Sequence, residues 1–154
     1  MIEAAEREQL LRIYAETRTI AVVGASADES KAAHQIPHYL QSQGYRIVPV
    51  NPRGGQLFGE RVFRSLGEID VPVDVVDVFR PATEAPEIAR QAIAIGAKVL
   101  WLQLGIVSRE ARQIAESAGL MVVMNRCMGA THALLGLGPG PYAPTDPRAG
   151  ETKE

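Results

Sequence analysis

The 154-residue sequence holds a single cysteine, Cys127, so no disulfide closes within the chain and no all-cysteine zinc site is expected. It lacks any apolar run of the roughly 18 residues that a membrane helix needs. It also lacks a basic cluster of the kind that tracks a nucleic acid. The formal net charge is only -2, with both signs scattered along the chain. Neither a membrane nor a nucleic-acid partner is therefore expected. Glu3, Glu6 and Glu8 put acid where a secretory signal carries base, and a cytoplasmic protein is the expectation. Aromatic residues are scarce at 5%, yet 46% of the chain is hydrophobic, and this suffices for one domain with a sizeable core.

The stretch around which the rest is arranged is Thr19-Ile20-Ala21-Val22-Val23-Gly24-Ala25-Ser26. A short apolar run that stops at a small-residue turn reads as a strand buried on both faces of a parallel sheet. A helix is expected to start between Asp28 and Lys31 and to end at Gly44, capped by Ser26 (with Glu29 in a capping box) or by Ser30. Pro37 falls inside it and predicts an irregular first turn or a kink. Further strands are expected at 46–50, 73–79, 98–102 and 120–124. Helices are expected at 2–17, at 83–95 with Thr83 as cap, and from Ser108 to just before Gly119. Segment 56–66 reads as a loop with an extended piece at 59–63. The result is an α/β fold with a doubly wound parallel sheet of about five strands. Residues 1–17 form a helix packed on a single domain at 18–138. Residues 139–154, with Pro139, Pro141, Pro144 and Pro147, form a flexible tail.

In such a sheet ligands sit beyond the C-terminal strand ends, where the strand order reverses. Here those ends are Gly24-Ala25-Ser26, Asn51-Pro52-Arg53, Phe79-Arg80, Gln103-Leu104-Gly105 and Asn125-Arg126-Cys127. Leu104, Arg126 and Cys127 aside, these residues are the candidate ligand contacts, with Lys31 at the expected helix start. A glycine turn that leads into a helix N-terminus aims backbone N–H groups at an anion, most often phosphate. The same pattern also serves an ordinary strand-to-helix turn that binds nothing. NAD fits poorly, because the second and third glycines of the dinucleotide fingerprint are missing. The acid that would bond its ribose is replaced by Asn51-Pro52-Arg53. An arginine there suits a ribose that carries a phosphate, as in NADP or coenzyme A.

Five blocks then become recognisable: Ile20 to Ser26, Val48 to Arg53, Val76 to Pro81, Trp101 to Gly105 and Asn125 to Met128. Together they resemble the small stand-alone CoA-binding proteins and the N-terminal CoA-binding domain of the succinyl-CoA synthetase alpha subunit. The resemblance spans about 18–136 with order and spacing kept. It implies a Rossmann-like domain that holds CoA or an acyl-CoA along the strand ends. The Gly24 turn would meet phosphates or pantetheine, and Arg53 would stand where the synthetase has a basic residue near the 3′-phosphate. The synthetase carries its phosphorylated histidine in a second domain, and this chain ends before one could begin. A binding module without catalytic residues of its own is therefore expected. Stand-alone relatives often flank the histidine matching His132 with glutamate and arginine, whereas this chain has Thr131 and Ala133.

Two other readings fit the residues: an NADP-dependent reductase-type domain, and an interaction protein with a degenerate ligand edge. The first helix and segment 54–66 could carry apolar surface for a homodimer or an unidentified protein partner. His34 and His38 share helical spacing without an evident third ligand, so no metal site is expected. Asp74 and Asp77 fall on opposite faces of one strand and cannot act as a carboxylate pair. Asp74 is expected in water at the strand start, and Asp77 in a hydrogen-bonded structural role. Cys127 reads as a small packing residue or a thiol activated by Arg126. Ser26 reads as a phosphate contact or a cap, and Trp101 as a core residue.

Overall fold

The computed structural model describes residues 2–138, so the expected tail at 139–154 lies outside the described residues. Helix α1 (Ala4–Glu16) precedes β1 (Thr19–Val23), which is followed by α2 (Ala32–Ser42) and β2 (Arg46–Val50). A two-stranded hairpin, β3 (Gln56–Leu57) and β4 (Glu60–Arg61), occupies the segment read as a loop. Then come β5 (Val75–Val78), α3 (Ala85–Ala94), β6 (Val99–Leu102), α4 (Arg109–Ser117), β7 (Met121–Val123) and α5 (Met128–Leu134). Five strands form one parallel sheet in the order β2-β1-β5-β6-β7. The chain moves outward from β1 to β2, crosses back to β5 on the other side of β1, and continues to β7. The order therefore reverses between β1 and β5, and that crevice is the topological switch point.

Alternation along each strand sends side chains to two faces. Ile20, Val22, Val75, Val99 and Trp101 face α1, α2 and α5, while Ala21, Val76, Val78, Leu100 and Leu102 face α3 and α4. On the second face Ala85, Ala89, Ala92, Ala111 and Ala115 are fully buried, and these small side chains let the helices lie close to the sheet. Tyr14 of α1 meets Trp101 edge-on at 5.7 Å, so the first helix covers the sheet.

Several local expectations give way. Helix α2 begins at Ala32 with Lys31 as N-cap and no side-chain cap. Ser26 Oγ instead accepts from the Asp28 N–H (3.0 Å), and Asp28 Oδ1 accepts from the N–H and hydroxyl of Ser30 (3.0 and 2.7 Å). Both candidate caps are engaged with Asp28 in the loop and neither caps the helix. Thr83 is not a cap either, because residues 82–84 form a 3-10 turn and α3 starts at Ala85 behind Glu84. Pro37 lies within a continuous α2. It removes the N–H that would bond the Ala33 carbonyl, and that carbonyl accepts from the Ser26 N–H instead, at 3.1 Å. Ser108 does cap α4, accepting from the Ala111 N–H at 3.1 Å. Helix α5 has no counterpart in the expected elements; its seven residues include Gly129 and Thr131, which favour helix weakly. Pro49 lies on the edge strand β2, where a missing donor is tolerated.

Candidate functional site

Gly24 ends β1 with φ +91°, a conformation that favours glycine. Its N–H extends the ladder to the Val50 carbonyl (2.9 Å), so it is not aimed at a ligand. A Cβ at Gly24 would lie 3.0 Å from Arg80 Cδ and 3.1 Å from the Phe79 carbonyl oxygen. The glycine therefore lets β1 and β5 close up at the switch point. The turn beyond is held by Ser26 N–H to Ala33, and by His34 Nδ1 against the Ser26 carbonyl at 2.8 Å, which requires the proton on Nδ1. The N–H groups of Ala27, Ala32 and Ala33 have no hydrogen-bond partner among the described residues. They are among the donors that the loop and the helix start leave open, with those of Ala25 and Glu29. A cleft of about 310 Å³ lined by Glu29, His34, Gln35 and His38 opens beside this loop.

Asn51 ties the two neighbouring turns together. Its Nδ2 donates to the Ala25 carbonyl (3.1 Å), while Oδ1 accepts from the N–H groups of Arg53 (2.8 Å) and Gly54 (3.1 Å). Both ends of the amide are engaged, so Asn51 positions the edge. Arg53 is exposed, and its guanidinium has no partner among the described residues. Arg64 Nη1 donates to the Pro52 carbonyl at 2.7 Å. Lys31 is exposed at the α2 N-cap. Phe79 is half-buried and continues the ladder through its N–H to Val23, 2.9 Å.

The remaining expected contacts are engaged with neighbours. Arg80 forms a two-pronged pair with Glu84, Nε to Oε1 at 3.0 Å and Nη2 to Oε2 at 2.7 Å. These bonds hold the Glu84 carboxyl below its ordinary value and raise the Arg80 guanidinium above its own. Gln103 is buried, and its Oε1 accepts from the Met128 N–H at 3.0 Å, joining the β6 end to α5. Asn125, at φ +58°, accepts the Gly105 N–H on Oδ1 at 2.7 Å and joins the β6 and β7 ends. All twelve expected residues lie at or beside the C-terminal edge, but most of the polar ones organise it rather than face outward. The third arginine of the edge, Arg126, is paired with Glu6 of α1 at 2.9 Å. Cys127 is half-buried at the start of α5, where its sulfur accepts from the Ala130 N–H at 3.4 Å.

Arg64 escapes the sequence reading because only the hairpin brings it to the edge. Phe63 forms a parallel bridge with Val50, and Arg64 follows it beside Asn51. Beneath the edge, on the α1 face, Asp77 is fully buried and neither carboxylate oxygen has a partner, contrary to the expected hydrogen-bonded role. Burial pushes its pKa well above the ordinary value. Asp74, expected in water, instead accepts the N–H groups of Arg18 and Thr19 at 2.9 and 3.0 Å. His132 is buried among Tyr14, Tyr39 and Tyr45, with Nδ1 3.0 Å from the Tyr39 hydroxyl and Nε2 unpartnered. No three His, Cys, Asp or Glu side chains converge as metal ligands among the described residues. No helix there is long and apolar enough to cross a membrane.

The sequence model of a family described as a CoA binding domain matches residues 18–133. The chain is 35% identical over 128 residues to YneT of Bacillus subtilis, an uncharacterized protein, covering 83% of this chain and 95% of that one. A solved structure from Thermus thermophilus, cell-free ID.343, is 40% identical with a TM-score of 0.80, covering 84% of this chain and 98% of that one. Similarity also extends to an acetate–CoA ligase (ADP-forming) of Methanocaldococcus jannaschii, 20% identical over 139 residues. That match takes in 85% of this chain and only 20% of the ligase. The family match spans most of the chain, and the chain belongs to the CoA binding domain family.

Proposed function

We propose that this domain binds coenzyme A or an acyl-CoA across the C-terminal edge of its sheet, and serves as a binding module rather than as a catalyst. The observation that carries this reading is the Asn51-Pro52-Arg53 turn. It has no acid to prefer an unphosphorylated ribose, and the Arg53 guanidinium is unpaired among the described residues. Arginine recognises phosphate with parallel hydrogen bonds and keeps its charge at any working pH. The open N–H groups of Ala27, Ala32 and Ala33 support a second anion contact at the start of α2, where the helix dipole favours negative charge. The acetate–CoA ligase of Methanocaldococcus jannaschii contains a region similar to this chain, which agrees with the same ligand.

Calorimetric titration of CoA, dephospho-CoA and NADP into wild type and Arg53→Ala tests it. CoA should bind more tightly than dephospho-CoA by about 1 to 3 kcal/mol, the range for a hydrogen bond to a charged group. Arg53→Ala should remove most of that gap and leave dephospho-CoA nearly untouched. NADP should compete weakly, because the Gly24 N–H is already bonded to Val50 and the fingerprint glycines are missing. NADP binding as tight as CoA would replace this reading with the reductase alternative, and no binding by any of the three would leave an interaction protein.

A further inference from the structure

Resting on the CoA reading, we infer that Arg64 is a second guanidinium of the terminal-phosphate site and sets, with Arg53, the preference for a ligand carrying that phosphate. Arg64 lies outside all five blocks of the resemblance and reaches the edge through tertiary structure alone. The parallel bridge of Phe63 to Val50 adds one more strand end beyond β2, and Arg64 stands on it beside Asn51. Its guanidinium lies against the backbone of Gly54, where a Cβ would sit 3.1 Å from Nη2 and 3.2 Å from both Cζ and Nε. Nη1 is anchored on the Pro52 carbonyl at 2.7 Å. The side chain is thereby held against the turn that carries Arg53, so much of its rotamer freedom is lost before any ligand arrives.

Pairing decides which arginines of this edge remain open to an anion. Glu84 holds Arg80 by two hydrogen bonds and Glu6 holds Arg126. Of the two acids four residues from Arg64, Glu60 pairs with Arg46 and Glu68 accepts the Arg64 backbone N–H at 3.1 Å, and neither makes an ion pair with its guanidinium. Nε and Nη2 of Arg64 have no partner among the described residues, and neither has the Arg53 guanidinium. The Pro52-to-Gly54 turn thus gathers two unneutralised guanidinium groups, whereas the other two arginines of the edge, Arg80 and Arg126, are held by carboxylates. A phosphate monoester dianion is the anion that would satisfy both, whereas the diester pyrophosphate carries its charge along a chain.

The test titrates CoA and dephospho-CoA into wild type, Arg64→Met and Arg64→Lys. Arg64→Met keeps an unbranched stem over Gly54 and removes the charge. CoA affinity should fall by about tenfold or more, as expected for losing a charge-assisted hydrogen bond, while dephospho-CoA changes by less than about twofold. Arg64→Lys should recover part of the loss, because it restores charge without the planar fork. Equal losses for both ligands would make Arg64 a prop of the turn and overturn the inference, as would an unchanged CoA affinity. A wild type that binds no CoA sinks the parent reading and this inference with it. That outcome is distinct from a wild type that binds CoA and does not notice the substitution. Thermal unfolding of each variant verifies the fold, and if Arg64→Met does not fold, Arg64→Lys against wild type carries the same comparison.

Discussion

Asp77 is a buried acid that the fold leaves without a hydrogen-bond partner among the described residues. It sits in the middle strand between Val22 and Trp101, fully buried, with both oxygens unpartnered. Burial favours the neutral acid and raises the pKa well above the ordinary 3.8. The folded state therefore holds a proton that the unfolded chain releases above about 3.9. The resulting stability is fully present below the unfolded value and is lost as pH rises towards the raised folded value. His132 works in the opposite sense. Burial lowers its pKa from the ordinary 6.5, so its contribution is present above that value and is lost as pH falls through the lowered one. Asp77→Asn removes the first titration with little change of shape. Urea unfolding from pH 4.5 to 8 should show wild type losing stability relative to Asp77→Asn as pH rises. The carboxamide is also unpartnered, so the slope and not the absolute level is the readout. Parallel profiles would mean that the Asp77 carboxyl keeps its ordinary pKa in the folded protein and would overturn this assignment.

At the scale of elements, the five strands were legible because each is a short apolar run that ends in small or polar residues, and burial on both faces demands such runs. The order of blocks and the unusual Asn51-Pro52-Arg53 turn were legible for the same local reason. What stayed hidden is what one turn does to another. Asn51 bonding Ala25, Gln103 bonding Met128 and Asn125 bonding Gly105 all join segments far apart in sequence, so polar residues read as ligand contacts serve as struts. Glu84 lies four residues after Arg80, a spacing that announces their pair, whereas nothing local announces Glu6 as the partner of Arg126. The expected caps of α2, Ser26 and Ser30, failed because each bonds Asp28 in the loop instead. Pro37 shows how a residue that disfavours one element can fasten another. The carbonyl it frees at Ala33 holds the Ser26 N–H, and with it the turn after β1. Pro37→Ala restores an N–H that competes for that carbonyl. Amide hydrogen exchange at Ser26 should then quicken by about tenfold or more, the signature of local opening, while core strands keep their protection. Unchanged protection at Ser26 would remove Pro37 from any role in ordering the loop.

For the molecule as a whole, the question is whether α1 is an integral layer or a helix laid on a finished domain. Its buried residues Leu10, Ile13 and Tyr14 share one core with α2, α5 and the inner face of the sheet. Two polar ties fasten it: the Tyr14 hydroxyl donates to the Met128 carbonyl at 2.6 Å, and Glu6 pairs with Arg126. Burial raises the Tyr14 pKa far above its ordinary value, so the phenol remains a donor at every working pH. Arg126 and Met128 flank Cys127 at the start of α5, and the Arg126 carbonyl accepts the Trp101 indole N–H at 2.7 Å. Through these bonds α1 holds the segment at the C-terminal end of β7. Tyr14→Phe removes one of the bonds to the Met128 carbonyl and should cost about 0.5 to 1.5 kcal/mol, the net range for one intramolecular hydrogen bond. Glu6→Ala should cost about 1 kcal/mol or less, because that pair is partly exposed. Trp101 is the sole tryptophan of the chain, fully buried and edge-on to Tyr14, so its fluorescence reports on the seam between α1 and the sheet. If α1 is integral, denaturation followed by Trp101 fluorescence and by far-ultraviolet circular dichroism should give one coincident transition, shifted together by Tyr14→Phe. An early fluorescence change that leaves most of the helical signal intact would instead mark α1 as a separately melting layer, and the predicted cost of Tyr14→Phe would then fall on that first transition alone.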